Sequence, residues 1–166
     1  MAVTVEDGTI VASANSYISV ANADAYFLAR NNTTWAAYST AVKEAALLYA
    51  CQWLDSRYSW QGTITDDDQT LAWPRDGVID NEGRSVSTTA IPAVIKDAQC
   101  EAAAAHALEA LNEILARGGA ISQVTVDVLS VTFAASASAS RTFPYIDGLV
   151  ARVAYPFTAG VVNTFR

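Results

Sequence analysis

The sequence predicts a mainly α fold: a small helical bundle with one long Ala-rich helix, plus a β-strand or hairpin as a C-terminal extension. Three observations predict it. Residues 40–57 carry apolar side chains on two adjacent helical strips. A long alanine-rich run is bounded by Pro92 before it and Gly118-Gly119 after it, the residues that open and close helices. From Val124 the apolar period changes from helical to alternating, the mark of a strand.

Along the chain, residues 3–18 read as extended structure with a turn at Asp7-Gly8. Ser19 suits a helix N-cap, because its hydroxyl can accept from an unpaired first-turn amide, and a first helix runs to about Arg30. Asn31-Asn32-Thr33-Thr34 breaks it. The second helix, about 40–57, carries Val42, Ala45, Ala46, Tyr49 and Trp53 on one strip and Leu47, Ala50 and Leu54 on the next. A helix apolar on two strips has neighbours on more than one side.

Residues 59–90 form a long irregular loop holding Asp66-Asp67-Asp68, Pro74, Gly77 and Gly83. Loops of that length carry a function or hold a partner. The third helix, from Pro92 to Arg117, would span about 39 Å. Its apolar face is read as Ala93, Cys100, Ala104, Leu108, Leu111 and Leu115, and its polar face as Gln99, His106, Glu109, Glu113 and Arg117. Then Val124, Val126 and Val128 face one way and Thr125, Asp127, Leu129 and Val131 the other. An Ala/Ser run at 134–140, a reopening at Arg141-Thr142-Phe143-Pro144, and a short helix from Tyr145 to about Ala154 complete the pattern. The chain thus divides into a helical body, 1–120, and a C-terminal strand and tail, 121–166.

Composition narrows the function. The chain has 166 residues, 52% hydrophobic and 16% charged, where about 25% charged is ordinary. The surplus of apolar side chains suits a subunit interface. Net charge is −7, with ten Lys and Arg scattered among seventeen Asp and Glu. Nucleic-acid binders usually present a basic face that neutralises phosphates, so the charge argues against specific DNA affinity. Cys51 and Cys100 each fall within a predicted helix, where cysteine acts as a small buried hydrophobe. The N-terminus lacks the pattern of a signal peptide, and no run approaches the ~18 apolar residues of a membrane span.

No constellation for catalysis appears, and no cofactor is expected. His106, the only histidine, lies near Glu109 and Glu113 and reads as a polar surface or interface residue rather than an acid–base group. One His and two distant Cys cannot make a usual zinc site. The acidic runs lack the spacing of a calcium loop. No nucleophile motif or Gly-rich phosphate loop is present. The sharpest local signal is Leu71-Ala72-Trp73-Pro74-Arg75-Asp76. Trp73 can plug the core or contact a partner, since Trp and Arg are enriched at binding hot spots. Arg75 can reach a carboxylate on its own or a neighbouring subunit.

A resemblance enters through ordered short motifs: Asp7-Gly8-Thr9, Ala14-Asn15-Ser16-Tyr17, Ala23-Asp24-Ala25-Tyr26, Lys43-Glu44-Ala45-Ala46-Leu47, Trp53-Leu54-Asp55 and Leu71-Ala72-Trp73-Pro74-Arg75. Ile91-Pro92, a late strand ending at Phe133, and Arg141-Thr142-Phe143-Pro144 with Leu149 follow. In this order the chain resembles the head-tail connector, or adaptor, proteins of tailed bacteriophages. Within them it resembles the phage family labelled putative DnaT-like single-stranded DNA-binding proteins.

The resemblance implies a structural virion protein without enzymatic activity. It would form a dodecameric ring at the head-tail junction, between the portal protein and a tail or neck protein, and DNA would pass through its lumen unbound. Trp73, Pro74, Arg75, Val126, Val128, Arg141 and Phe143 are the expected assembly contacts. The C-terminal third is expected to reach out of the helical body, the strand pairing with a neighbouring subunit. The alternative is a single-strand DNA-binding module using Trp53, Trp60, Trp73 and nearby Arg as a stacking platform.

Overall fold

Caps read from the sequence set up the helical body. The computed structural model describes residues 2–108 and 143–155, with the backbone of 123–126 and 129–132. It is mainly helical. The α1 helix, Val20–Ala29, begins at Ser19, whose hydroxyl accepts from the Asn22 amide at 3.2 Å. It closes through Asn31, which adopts the left-handed conformation at φ 53°. The amides of Asn31 and Asn32 then donate back to the carbonyls of Leu28 and Phe27, at 3.1 and 3.0 Å. This doubled closure satisfies two orphan carbonyls and suits asparagine, which tolerates positive φ. Asn32 at once caps the four-residue α2, Thr33–Ala36, by accepting from the Trp35 amide at 3.0 Å.

The α3 helix, Thr40–Arg57, matches the expected bounds. It buries Ala46, Leu47, Ala50, Cys51 and Leu54, so the second of its two apolar strips faces the core. Of the first strip, Val42 is 42% exposed and Tyr49 and Trp53 are half-buried. The main partner of α3 is α4, Ala93–Ala107. Small side chains meet across it, Ala98, Cys100, Ala102 and Ala103 from α4, which lets the two backbones approach closely.

The face of α4 differs from the sequence reading. Gln99, assigned to the polar face, is fully buried, while Ala93 and Leu108, assigned to the apolar face, are exposed. Gln99 is buried because its amide is fully used. Its Oε1 accepts from the Tyr17 amide at 2.8 Å, and its Nε2 donates to Ser16 Oγ at 2.7 Å and to the Leu47 carbonyl at 2.9 Å. A buried amide with its hydrogen bonds made escapes the desolvation penalty. Residues 109–117 of the expected helix lie outside the described residues.

The 59–90 segment is ordered by one short ribbon. Strands β1, Thr63–Ile64, and β2, Arg75–Asp76, pair antiparallel, Thr63 opposite Asp76. The Trp73-Pro74 peptide is cis. Further on, β3, Gln123–Val126, pairs antiparallel with β4, Leu129–Thr132. Of the strand or hairpin expected over this stretch, it is the hairpin that forms, and β3 satisfies one of its edges within its own chain.

The C-terminal part also departs from expectation. It does not all reach out of the body: α5, Pro144–Val150, packs on α4 and buries Ile146 and Val150. Pro144 stands at the start of α5, where its missing N–H costs nothing. The chain then runs beside residues 59–61. Gln61 donates to the Val153 carbonyl at 3.1 Å, and Tyr155 donates to the Ser59 carbonyl at 2.8 Å. Val153 and Ala154 are buried there.

Candidate nucleic-acid interface

Tyr49, Trp53 and Arg57 stand four residues apart on α3 and so share one face of the helix. Each is half-buried. Two side chains from other elements extend the row. The His106 ring of α4 stacks on Tyr49, with centroids 3.9 Å apart and planes 9° from parallel. Phe143, just before α5, sets its edge against Trp53 at 5.5 Å. The Arg57 guanidinium lies 4.9 Å from the Trp53 ring centroid and 5.6 Å from that of Tyr58. It is held there by Asp147, 3.7 Å away, whose carboxylate also accepts from the Tyr58 hydroxyl at 2.6 Å. Burial, reinforced by that hydrogen bond, pushes the Tyr58 hydroxyl above its ordinary pKa. The result is a row of aromatic rings and one guanidinium, half-buried at the meeting of α3, α4 and the start of α5.

The other tryptophans are not available for stacking. Trp73 is fully buried and Trp60 is 7% exposed, and they meet edge to face at 5.9 Å. Trp35 is 2% exposed. Of the three tryptophans expected to make a platform, only Trp53 reaches the surface.

The expected assembly contacts fall differently again. Trp73 and Pro74 are buried in the core of their own chain, as the core reading of Trp73 expects. Arg75 does not reach out to a carboxylate. It donates to the carbonyls of Gln61 at 2.7 Å, Gly62 at 2.8 Å and Ala72 at 3.1 Å, tying both ends of the β1–β2 ribbon. Phe143 packs on Trp53 in its own chain. Val126 stands in β3 opposite Leu129 of the same chain. Val128 and Arg141 lie outside the described residues.

What the short motifs share is a single buried node. Tyr17 donates its hydroxyl to the Asp55 carboxylate, at 2.8 and 2.9 Å to the two oxygens. Asp55 Oδ2 also accepts from the Ala72 amide at 3.0 Å, and the Trp73 amide donates to the Tyr17 hydroxyl at 3.2 Å. Burial raises the Asp55 pKa, opposed by those hydrogen bonds and by the charge of Arg75. Three motifs far apart in sequence thus fix one corner of the core. The node has a structural task and offers no open site.

Most other cations of the described residues are already engaged. Lys43 pairs with Asp24 at 2.9 Å, Arg84 with Asp80 and Glu82, and Arg152 with Glu82 at 3.4 Å. Arg30 lies 3.4 Å over the Tyr26 ring. Among the described residues, no three His, Cys, Asp or Glu side chains gather as a metal site, and no helix is long and apolar enough to cross a membrane.

Over residues 1–166 the sequence matches the family described as putative DnaT-like ssDNA binding protein. The chain belongs to this family. No curated protein and no solved structure matches it. The DnaT-like description points to DNA, and it overturns the connector reading. The ring, the portal and tail or neck partners, and a lumen that DNA crosses unbound have no support in it. A net charge of −7 does not by itself exclude DNA, because base stacking on aromatic rings needs no net positive charge.

Proposed function

We propose that this DnaT-like chain binds single-stranded DNA by stacking bases on the row formed by Tyr49, Trp53, His106 and Phe143, with Arg57 as the cation beside it. The observation that carries the reading is the row itself: half-buried aromatic rings of Tyr49 and Trp53 along α3, extended by His106 of α4 and by Phe143, with the Arg57 guanidinium at its end. The family description supports the same reading. Every base has a π-face, so such a row takes any sequence, and stacking contributes about 1–3 kcal/mol per base. The scaffold is a small helical bundle of α1, α3, α4 and α5, in which the alanine-rich α4 lets its neighbours close in.

The chain acts by binding rather than by catalysis. Its one histidine is spent in a ring stack, and both cysteines are buried thiols whose pKa burial raises. The test is titration of a fluorescently labelled oligo-dT into the full chain at low salt. Trp53→Ala is expected to weaken binding by about 1–3 kcal/mol, on the order of 5- to 150-fold. Unchanged affinity in that variant, or no binding by the wild type at tens of micromolar, removes the row as the interface.

A further inference from the structure

The end of α1, the short α2 and the start of α3 enclose a groove of about 270 Å³ that plays no part in the aromatic row. Phe27, Leu28, Trp35 and Ala36 give it apolar walls, and Asp24, Asn31, Asn32, Thr33 and Lys43 give it polar groups. Leu28 on its rim is 82% exposed and offers an open apolar surface beside the groove. The volume is below the roughly 300–1,000 Å³ of drug-sized sites, which suits one small ring rather than a large cofactor.

Asp24 gives the groove its chemistry. Its Oδ1 accepts from the Trp35 indole N–H at 2.8 Å and from the Lys43 ammonium at 2.9 Å. These two donors fix the carboxylate and balance its charge, so an anionic strand is not repelled. The second oxygen, Oδ2, has no partner among the described residues, and the side chain is 45% exposed. A fixed acceptor at the edge of an apolar slot is complementary to an amino group on a planar ring. Among bases, a carboxylate pairs naturally with the exocyclic amino group of cytosine.

We propose that this groove seats a single unstacked base bearing an amino group, cytosine above thymine, with its N4 amino group donating to Asp24 Oδ2 and its ring against Leu28. The proposal rests on the single-strand reading and adds to it a site of base preference, since stacking on the aromatic row has none.

The test is titration of the isotope-labelled full chain with dCMP and with dTMP at millimolar concentration, following the Trp35 indole N–H resonance. dCMP is expected to shift it, with dTMP several-fold weaker. Asp24→Asn keeps an oxygen for Trp35 and Lys43 but places an amide N–H where Oδ2 stood. It should reverse the order, favouring the thymine carbonyl, a result that loss of packing could not produce. Leu28→Ser, at a position free of the core, should weaken both nucleotides. An indole resonance that neither nucleotide moves, equal shifts by both, or a preference unchanged in Asp24→Asn overturns the proposal. Trp53 does not line the groove. Silence to dCMP with strand binding intact therefore removes the groove alone. A dCMP shift without strand binding removes the aromatic row alone.

Discussion

Asp55 is the residue on which three separated segments converge, and its carboxylate is the costly part of that arrangement. Burial raises its pKa above the ordinary carboxylate value, despite the bonds from Ala72 and Tyr17. The folded state therefore holds this proton more tightly than the unfolded chain, whose aspartates titrate near 3.9. Below that pH the carboxyl is protonated in both states and its ionisation costs nothing. As pH rises from about 4 through the folded value, ionisation of the buried group lowers stability. Asp55→Asn cannot ionise and loses this slope. Urea unfolding of both proteins from pH 4 to 7 should show the wild type losing stability relative to the variant as pH rises. A wild type that holds level with the variant, or gains on it, as pH rises contradicts the sign. None of this was legible beforehand: Trp53-Leu54-Asp55 reads as the end of a helix, and only the approach of residue 72 makes its acid a buried one.

At the scale of an element, the β1–β2 ribbon shows how a segment without periodicity becomes ordered. Its strands are two residues each, too short for their ladder to hold them. Arg75 supplies the missing closure with three bonds to carbonyls, and Gly62 permits it. Gly62 has φ 69°, and a Cβ there would run into the Asp76 carbonyl across the ribbon. Gly62→Ala must move the backbone and should cost at least 1–2 kcal/mol, more than the glycine-to-alanine entropy gain of about 0.4–1 kcal/mol returns. Thermal unfolding reads it, and an unchanged or raised Tm would show that the ribbon yields freely. The α3 helix tells the opposite story. Its caps and bounds follow from Ser39 and the apolar spacing, because a helix is satisfied by its own residues. Which strip is buried and which forms the aromatic row depended on where α4 and Phe143 lie.

At the scale of the molecule, α5 and the residues after it are part of the body, and two consequences follow. Ile146 is 3% exposed against α4, so Ile146→Ala should destabilise the whole fold by about 2–5 kcal/mol. Chemical denaturation should show one transition shifted to lower denaturant. A separate early transition, with the main one unmoved, would mean that α5 docks without contributing to the core. The second consequence concerns salt. The net charge is −7, and among the described residues Lys43, Arg84 and Arg152 are paired with carboxylates, which leaves few cations there to neutralise phosphates. Single-strand binding lowers log K with log salt by about 0.7 per phosphate neutralised. With Arg57 the main cation in the row, the slope should be shallow, on the order of −1. A slope of about −4 or steeper would mean a basic surface elsewhere carries the binding.

By itself the sequence determined the helical character of the chain and the bounds of α1 and α3. Each depends on neighbours along the chain: caps and apolar spacing. Only the tertiary structure decided that Gln99 lies in the core and Leu108 on the surface, that Arg75 bonds backbone rather than a partner, and that Trp53 alone of the expected tryptophans is open. It also decided that His106, unremarkable on its own helix, stacks on Tyr49. These depend on contacts between residues dozens of positions apart. A buried amide or a guanidinium is tolerated only where another segment supplies its hydrogen-bond partners, and local pattern does not encode that segment's position.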